Sequence, residues 1–354
     1  MSQPLRTAIV GLGLPGQGHA LRIVAESADF TLVAGCDMTA ELREKFRSTH
    51  PDVRVYADFD EMLQREQPEV VVIATGALPR CALTLRALAA GVRGLYLEKP
   101  MAVSLGEARR MAAACAEKQV PLIVNHQRRT LPVFRAMRRL IAGGAIGDVT
   151  TIRASCAGDL LSDGTHLVDT VRFLAGDAPA TWIAGAAVLG LGEPGFTGQR
   201  YGHAVEQGSL GMVAFQNGVR AEFHVGSLML PRTRYQFYEV IGTRGHLRRD
   251  GDASPLMIRD ETDGWREAAI EAVDGEEPPR GLAYPENYRN LARLVRGETQ
   301  EHPLGIASAL ADQEILMAIL ESARRHERLS LPLAQETYPV DLMLAEARSR
   351  GAPA

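Results

Sequence analysis

This sequence of 354 residues has few cysteines, no long apolar run and no net positive charge, and each of these absences excludes a class of protein. The four cysteines lie far apart with no C-x-x-C pair, which fits reduced thiols and gives no metal or redox signature. No apolar run reaches about 18 residues and no signal peptide opens the chain, so we expect a cytoplasmic protein without a membrane partner. The net charge of −4 offers no basic field for nucleic acid.

Two domains are expected, because a chain of this length exceeds what one hydrophobic core usually serves. The first 125 residues alternate short apolar runs with amphipathic segments, and strands that are buried on both faces require such runs. Six runs with helical crossovers predict an α/β, Rossmann-type, doubly wound parallel sheet in residues 1–125. The runs lie at 7–11, 31–37, 53–58, 69–76, 94–100 and 121–125.

Residues 126–354 have a different pattern, in which apolar and polar residues alternate as in antiparallel strands with one wetter face. Two of these strands flank Asn217-Gly218, a strong hairpin signal. The pattern predicts an α+β domain with a large, mostly antiparallel open sheet, and it predicts long loops around 192–203 and 274–286. The candidate strands lie at 148–156, 181–190, 208–216, 219–226, 235–242 and 255–260.

The first apolar run leads into VGLGLPGQGH, which has glycines in the G-x-G-x-x-G spacing. Glycine at these positions allows a tight turn, backbone approach to a pyrophosphate and close packing of the following helix, whose N-terminus attracts phosphates. The motif alone is weak, but it lies here between a predicted strand and a predicted helix. We therefore expect the dinucleotide to be bound by the loop residues Gly11, Leu12, Gly13, Leu14 and Gly16.

Asp37 ends the second predicted strand, where a carboxylate can accept hydrogen bonds from the adenosine ribose and repel a 2′-phosphate. Neither Met38 nor Thr39 supplies an adjacent positive charge that could neutralise such a phosphate. NAD is therefore the expected cofactor, and NADP is less favoured. The alternative is that Asp37 only caps the helix that starts at Thr39.

The fifth predicted strand ends in LYLEKPMAV, which puts Lys99, one of only three lysines in the chain, at the carboxyl edge of the sheet. Several other phrases accompany it in a characteristic order: NHQRR at 125–129, IAGGAIGDV at 141–149, G-x-H-x-x-D at 164–169 and HPLGIASALADQEILMAILESA at 302–323. With these phrases the sequence resembles the Gfo/Idh/MocA family of sugar and polyol oxidoreductases over nearly its whole length.

The resemblance implies that Lys99 lies beside the nicotinamide and the substrate hydroxyl, where it can pass a proton while the ring takes the hydride. It also implies that Thr75, Gly76 and Glu98 lie near the cofactor. Arg80 stands where the family often has a histidine, and an arginine there can still contact the cofactor or an anionic group.

A second arginine position follows from the resemblance in NHQRR. Arg128, with Arg129 beside it, matches an arginine that often lines the active-site mouth, so we expect Arg128 to contact the substrate. The alternative is a solvated basic turn, because the chain is rich in arginine.

The stretch DLLSDGTHLVD at 159–169 contains His166, which matches the family's active-site histidine. Many members have an aspartate four residues earlier, where this chain has Ser162. Asp163 stands three residues before His166, and such neighbours meet on a helix surface. We therefore expect Asp163 to orient His166 or to hold a substrate hydroxyl. A solvated helix face and a metal site are the alternatives; apolar residues after His166 oppose the first, and the lack of clustered histidines opposes the second, so no metal is expected.

The leading hypothesis is an NAD-dependent dehydrogenase that acts on a secondary hydroxyl or ketone of a sugar, sugar derivative or polyol, with Lys99 and His166 handling the proton. The resemblance also implies a homo-oligomer, a dimer or tetramer, formed through the sheet of the second domain. One alternative is a redox-neutral, NAD-dependent glycoside-cleaving enzyme of the same fold. Another is a non-catalytic sugar or cofactor sensor, against which the presence of Lys99 and His166 argues.

Overall fold

The structure is a computed structural model of the chain, and it describes residues 3–26, 28–190, 192–232, 235–251, 254–261, 264–268, 285–300 and 302–350. Packing divides the chain into two compact units. The first is built from Met1–Ala102, Glu107–Thr130 and Pro279–Leu310, and the second from Val103–Gly106, Leu131–Pro278 and Ala311–Ala354. The boundary expected at residue 125 falls inside the first unit, which also takes up a helical segment from much later in the chain.

Six parallel strands form the sheet of the first unit, in the order β3-β2-β1-β4-β5-β6, as predicted. The strands are β1 Leu5–Val10, β2 Phe30–Cys36, β3 Arg54–Tyr56, β4 Val70–Ile73, β5 Gly94–Leu97 and β6 Leu122–Val124. The helices are α1 Leu14–Ala25, α2 Ala40–Thr49, α3 Phe59–Glu66, α4 Arg80–Ala89, α5 Leu105–Lys118 and α8 Pro285–Val295, with a 3₁₀ helix at Gln127–Thr130.

Successive side chains of these strands enter two different cores. Ile9, Val72 and Tyr96 pack on the side of α1, α2 and α8. Val10 and Leu97 pack on the opposite side, with α3, α4 and α5. Because both faces are covered, the strands read as continuous apolar runs. The strand order reverses beside β1, and the crevice at the carboxyl ends of β1 and β4 is where ligands of such sheets bind.

The second unit has a nine-stranded sheet in the order β16-β15-β14-β13-β7-β12-β11-β8-β17. Only β7 and β12 run parallel to each other; all other neighbours are antiparallel. The strands are β7 Val149–Cys156, β8 Ala180–Val188, β11 Gly208–Phe215, β12 Arg220–Gly226, β13 Gln236–Gly242, β14 His246–Asp250, β15 Met257–Arg259, β16 Arg266–Glu267 and β17 Leu329–Ser330. A separate ribbon pairs β9 Gln199–Arg200 with β10 His203–Ala204, and the remaining helices are α6 Pro132–Ala142, α7 Gly164–Leu174, α9 Ile306–Arg325 and α10 Pro339–Ser349.

The predicted mostly antiparallel sheet and its hairpin are confirmed, with Gly218 in the left-handed region at φ +87° between β11 and β12. The loop expected at 192–203 is interrupted by β9 and the start of β10. Of the loop expected at 274–286, residues 274–284 lie outside the described residues, and Pro285 and Glu286 begin α8. No described helix is both long enough and apolar enough to cross a bilayer.

Candidate active site

The glycine loop lies between β1 and α1, as the sequence predicted, and its backbone leaves no room for side chains at two positions. A Cβ on Gly16 would overlap the carbonyl oxygen of Gly11, and a Cβ on Gly11 would lie 2.7 Å from the backbone of Ala74. Gly11 also has φ +91°, which L side chains rarely adopt. A Cβ on Gly13 would meet nothing within 4 Å, so the backbone is open at the N-terminus of α1. This cradle fits a dinucleotide pyrophosphate.

Asp37 holds two backbone segments of the first unit at once. Its Oδ2 accepts a hydrogen bond from the amide of Leu12, and its Oδ1 accepts one from the amide of Thr39, each at 2.8 Å. The contact with Thr39 is a turn contact two residues along the chain and not a helix cap, because Thr39 is itself the N-cap of α2 and that cap has no side-chain hydrogen bond. Asp37 therefore holds the glycine loop to the segment that enters α2, and its contact with a ribose stays a prediction.

A positive charge lies beside Asp37, contrary to the expectation from its immediate neighbours in sequence. The guanidinium of Arg43 donates to the carbonyl oxygens of Asp37 and Met38, each at 2.8 Å. The sequence reading missed Arg43 because it considered only the next two residues, whereas α2 turns Arg43 back toward the end of β2. The helical spacing of Arg43 from Thr39 was the available signal.

Arg80 links the ends of two neighbouring strands. It is 3% exposed, and its guanidinium donates to the carbonyl oxygens of Thr75, after β4, and of Pro100, after β5. Burial lowers the pKa of Arg80 to about 10, and the charge of Glu98 opposes that change. Arg80 therefore supports the backbone on both sides of the expected cofactor edge, and its direct contact with the cofactor stays a prediction.

Glu98 is the centre of a buried polar network next to Lys99. Its Oε1 accepts from Asn125 Nδ2 at 2.8 Å and lies 2.9 Å from His19 Nε2, and His19 Nδ1 lies 2.6 Å from the hydroxyl of Tyr288. Burial acts to raise the pKa of Glu98, but hydrogen bonds from His19 and Asn125 and the charge of Arg80 lower it to about 2. An ionised carboxylate is thus fixed beside the half-buried Lys99.

Two members of this network escaped the sequence reading. His19 is the last residue of VGLGLPGQGH, so its position next to the glycines could have indicated it. Tyr288 lies on α8, about 270 residues away, in a segment that contains no motif. Tyr288 also stacks on Tyr96 at 4.8 Å between ring centroids. The network joins α1, β5 and α8 within the first unit.

Arg128 and Arg129 lie on the 3₁₀ helix Gln127–Thr130. Their exposed fractions are 6% and 3%. The alternative of a solvated basic turn is therefore wrong. The contact of Arg128 with a substrate stays a prediction.

The helix α7 is buried along almost its whole length, with His166 only 4% exposed. The alternative of a solvated helix face is therefore wrong for this stretch. The helix begins at Gly164, so Ser162 and Asp163 lie in the turn before it and not on its surface. Asp163 is the residue that precedes the first helical turn.

The carboxylate of Asp163 is held by residues from distant parts of the second unit. Arg200 donates to Asp163 Oδ2 and, at 3.2 Å, to Asp159, while the hydroxyl of Tyr235 donates to Asp163 Oδ1 at 3.3 Å. Burial acts to lower the pKa of Arg200, but the two carboxylates and a hydrogen bond with Tyr201 raise it above its usual value. Asp163 is thus a fixed, charge-balanced carboxylate three residues before His166.

A further buried carboxyl group, Glu206, supports the same turn. Its Oε1 accepts from the amide of Leu160 at 2.7 Å and from the hydroxyl of Ser209 at 3.3 Å. Burial raises the pKa of Glu206 to about 7, and the charge of Asp159 adds to this rise. The sequence reading missed Arg200 and Glu206 because it placed them in and beside a loop.

The sequence-predicted residues therefore fall into two groups. The glycine loop, Asp37, Thr75, Gly76, Arg80, Glu98, Lys99 and Arg128 belong to the first unit, and Asp163 and His166 belong to the second. Within the first unit, the structure joins the glycine loop to Asp37 and the ends of β4 and β5 to each other. The expected meeting of Lys99 with His166 stays a prediction.

Comparison with known families gives two adjoining matches. The family model described as "Oxidoreductase family, NAD-binding Rossmann fold" matches residues 5–126, and the one described as "GFO/IDH/MocA C-terminal domain" matches residues 134–248. Together they cover both the glycine loop and α7.

Individual relatives carry related names. A 1,5-anhydro-D-fructose reductase from Ensifer adhaerens is 33% identical in an alignment of 217 residues that covers 56% of this chain and 57% of the reductase, so the match spans a little over half of that protein. A trans-1,2-dihydrobenzene-1,2-diol dehydrogenase from Mus musculus is 25% identical over 93% of this chain and 98% of its own length.

Solved structures agree on the fold. The WlbA dehydrogenase from Bordetella pertussis, crystallised with NADH and UDP-GlcNAcA, superposes with a TM-score of 0.75 at 20% identity, over 93% of this chain and 99% of that protein. With the matched domains and the shared architecture, the family that the motifs indicated is confirmed: the chain belongs to the Gfo/Idh/MocA family of NAD-binding oxidoreductases.

Proposed function

We propose that this protein is an NAD-dependent oxidoreductase that acts on a secondary hydroxyl, or the corresponding ketone, of a sugar, sugar derivative or polyol. The observation that supports this most is the cradle of Gly11, Gly13 and Gly16, whose backbone is closed to side chains at two positions and open at the third. The names of relatives support the substrate class, since they include a 1,5-anhydro-D-fructose reductase and an inositol 2-dehydrogenase.

In this proposal the first unit holds the cofactor, and NAD, when bound, supplies the hydride chemistry. The chain contributes the binding groups: the glycine loop with Leu12 and Leu14 for the pyrophosphate, Asp37 for the adenosine ribose, and Thr75, Gly76 and Glu98 near the nicotinamide end. Asp37 favours NAD over NADP through its negative charge, although Arg43 lies beside it.

The proton is handled by two side chains. The ammonium group of Lys99 exchanges a proton with the substrate oxygen and stabilises the charge that develops there. The imidazole of His166 takes part in the same proton transfer and fixes the substrate's orientation. Asp163, whose carboxylate is held by Arg200 and Tyr235, orients His166 or binds a substrate hydroxyl, and Arg128 contacts the substrate.

The division of labour follows the two units: the first, which includes α8, serves the cofactor, and the second serves the substrate and self-association. A homo-oligomer formed through the open sheet and a cytoplasmic location stay predictions of the sequence. A monomer in light scattering would contradict the first of them.

The test is a panel of carbohydrates and polyols with NAD and with NADP, in which reduced nicotinamide and organic product are measured together. We expect both to appear in equal amounts with at least one substrate. Product without net cofactor reduction would instead support the redox-neutral glycoside-cleaving alternative. Full biological effect in Lys99→Ala would support the sensor alternative.

A further inference from the structure

A cavity of about 380 Å³ in the second unit lies next to Asp163, one of the expected substrate residues. It is lined by Gly158, Asp159, Thr197, Arg200, Glu206 and Ser227, among others. A Cβ on Gly158 would overlap the carboxylate of Asp163, so the cavity wall is in contact with that residue. Its volume falls in the range of small-molecule sites, which is about 300–1,000 Å³.

Acidic side chains outnumber basic side chains around this cavity. Of the described residues that line it, three are charged: Asp159, Arg200 and Glu206. The guanidinium of Arg200 is already shared between Asp159 and Asp163. One basic side chain therefore stands against three carboxyl groups, and within the part of the chain that the structure describes no ion pair or hydrogen bond joins Glu206 to a positively charged group.

Glu206 carries an unsatisfied atom at this cavity. The residue is 1% exposed, and its Oε1 is engaged by Leu160 and Ser209. Its Oε2 has no hydrogen-bond partner among the described residues. Burial raises the pKa of Glu206 to about 7, so without a ligand the group is partly protonated near neutral pH. A ligand cation that donates to Oε2 favours the ionised form and removes the cost of leaving a buried carboxylate oxygen without a partner.

We propose that this cavity binds an ammonium-bearing, polyhydroxylated ligand, with the ammonium group donating to Glu206 Oε2 and balancing the charges of Asp159 and Glu206. A ligand cation satisfies both the orphaned oxygen and the excess negative charge, whereas a neutral hydroxyl satisfies only the oxygen. A carboxylate or phosphate group is repelled. If the proposed function holds, this ligand is the substrate. The substrate is then an amino sugar or amino polyol, and sugar acids and sugar phosphates are disfavoured.

Three small polyols built on one central carbon test the proposal, because they differ mainly in charge. Tris carries an ammonium group at about pH 7, pentaerythritol is neutral, and 2,2-bis(hydroxymethyl)propionate carries a carboxylate. Binding to the full chain is measured by calorimetry, with and without NAD. We expect Tris to bind at least about 10-fold more tightly than pentaerythritol, and the carboxylate to bind most weakly.

Variants tie the preference to the cavity. Glu206→Gln keeps an acceptor for Leu160 and removes the charge, so the preference for Tris should fall to within about 3-fold. Thr197→Trp, at an exposed position on the rim, should block all three probes even if the first variant fails to fold. Glu222→Gln is the matched control. Glu222 on β12 pairs with Arg153 on β7, away from this cavity, so this variant should keep the wild-type preference for Tris.

Equal binding of Tris and pentaerythritol, an unchanged preference in Glu206→Gln, or unimpaired binding in Thr197→Trp would each overturn the proposal, as would no binding by any probe. NAD binding and turnover on the carbohydrate panel are recorded for the same samples. If they persist while the Tris preference is missing, only this inference fails. If NAD does not bind the wild-type chain, the proposed function fails, and the Tris series without NAD still decides the cavity.

Discussion

Lys99 occupies a position whose backbone is fixed on both sides. Glu98 before it is locked into the network with His19 and Asn125, and the carbonyl of Pro100 after it accepts from Arg80. Both neighbours are buried, whereas Lys99 itself is half-buried. The residues on either side of this lysine are therefore held in place, as the proposed proton transfer would require of its backbone.

Removing the Lys99 ammonium group should impair chemistry more than cofactor binding. In Lys99→Ala we expect kcat to fall about 10²- to 10⁴-fold, because a positioned acid or base contributes that much, with a much smaller change in NAD affinity. Steady-state kinetics and NAD calorimetry measure the two effects. Lys118→Ala, at the exposed end of α5, is the control and should retain wild-type kinetics. A comparable loss in both lysine variants would remove Lys99 from the reaction.

The charge of Asp37 should set the choice between the two nicotinamide cofactors. In Asp37→Asn the repulsion of a 2′-phosphate is lost while Arg43 remains, so the ratio of kcat/KM for NAD over NADP should fall about 10-fold or more. Asp52→Asn, at an exposed position after α2, should leave the ratio unchanged. An unaltered ratio in Asp37→Asn, or faster wild-type turnover with NADP, would contradict the role given to Asp37.

At the scale of elements, two glycines of the glycine loop should have different roles: Gly16 is needed for folding, and Gly13 is needed for NAD binding. Gly16→Ala forces a Cβ into the Gly11 carbonyl, so it should lower the free energy of unfolding by about 1–3 kcal/mol. Gly13→Ala has space, so its stability should match the wild type while its Cβ weakens NAD binding. Thermal unfolding without NAD and NAD calorimetry give the two readouts. A destabilised Gly13→Ala would show that the loop geometry is not the one described.

The elements that sequence predicted well are those whose pattern is set by burial alone. The strands β4, β5 and β6 of the first unit are buried at every position and appear as uninterrupted apolar runs. In contrast, β14 has the sequence HLRRD and was missed, because only Leu247 is buried and the strand is held by pairing with β13. Strand pairing of this kind overrides local propensity and leaves no local signal.

The site divides in the same way. The glycines, Asp37 and Lys99 lie where the sequence placed them, because each stands at a fixed offset from a strand end, and their binding and catalytic roles stay predictions. Arg200 was missed because it lies 37 residues from Asp163 in the sequence, and no local pattern predicts a contact over that separation. The spacing from His166 likewise predicted Asp163 on a helix surface, but Asp163 lies in the turn before α7.

At the scale of the whole molecule, two buried carboxyl groups make stability depend on pH in opposite directions. Between the usual pKa of 4.5 and about 7, the folded chain keeps a proton on Glu206 that the unfolded chain releases, so stability falls as pH rises through this range. Glu98, with its pKa lowered to about 2, adds stability above 4.5 that is lost only as pH falls toward 2.

The Glu206 effect is measurable by substitution. Glu206→Gln keeps the acceptor for Leu160 and cannot ionise next to Asp159 and Tyr338, so it should exceed the wild type in stability by roughly 3 kcal/mol at about pH 8 and match it at about pH 4. Urea unfolding at the two pH values gives the difference. Glu222→Gln should show no pH-dependent difference, and a Glu206→Gln effect of equal size at both values would contradict the assignment.

The late helix α8 gives the cofactor-binding unit a sequence that is not continuous. Tyr288 completes the His19 network, Arg289 and Arg296 pair with Glu26 and Asp29, and a Cβ on Gly94 would overlap Val295. Recombination with a relative at a single crossover near residue 125 therefore leaves the Rossmann sheet facing a foreign helix. A chimaera that is meant to inherit this chain's cofactor preference has to carry two separate inserts, the amino-terminal region and the segment around 285–300.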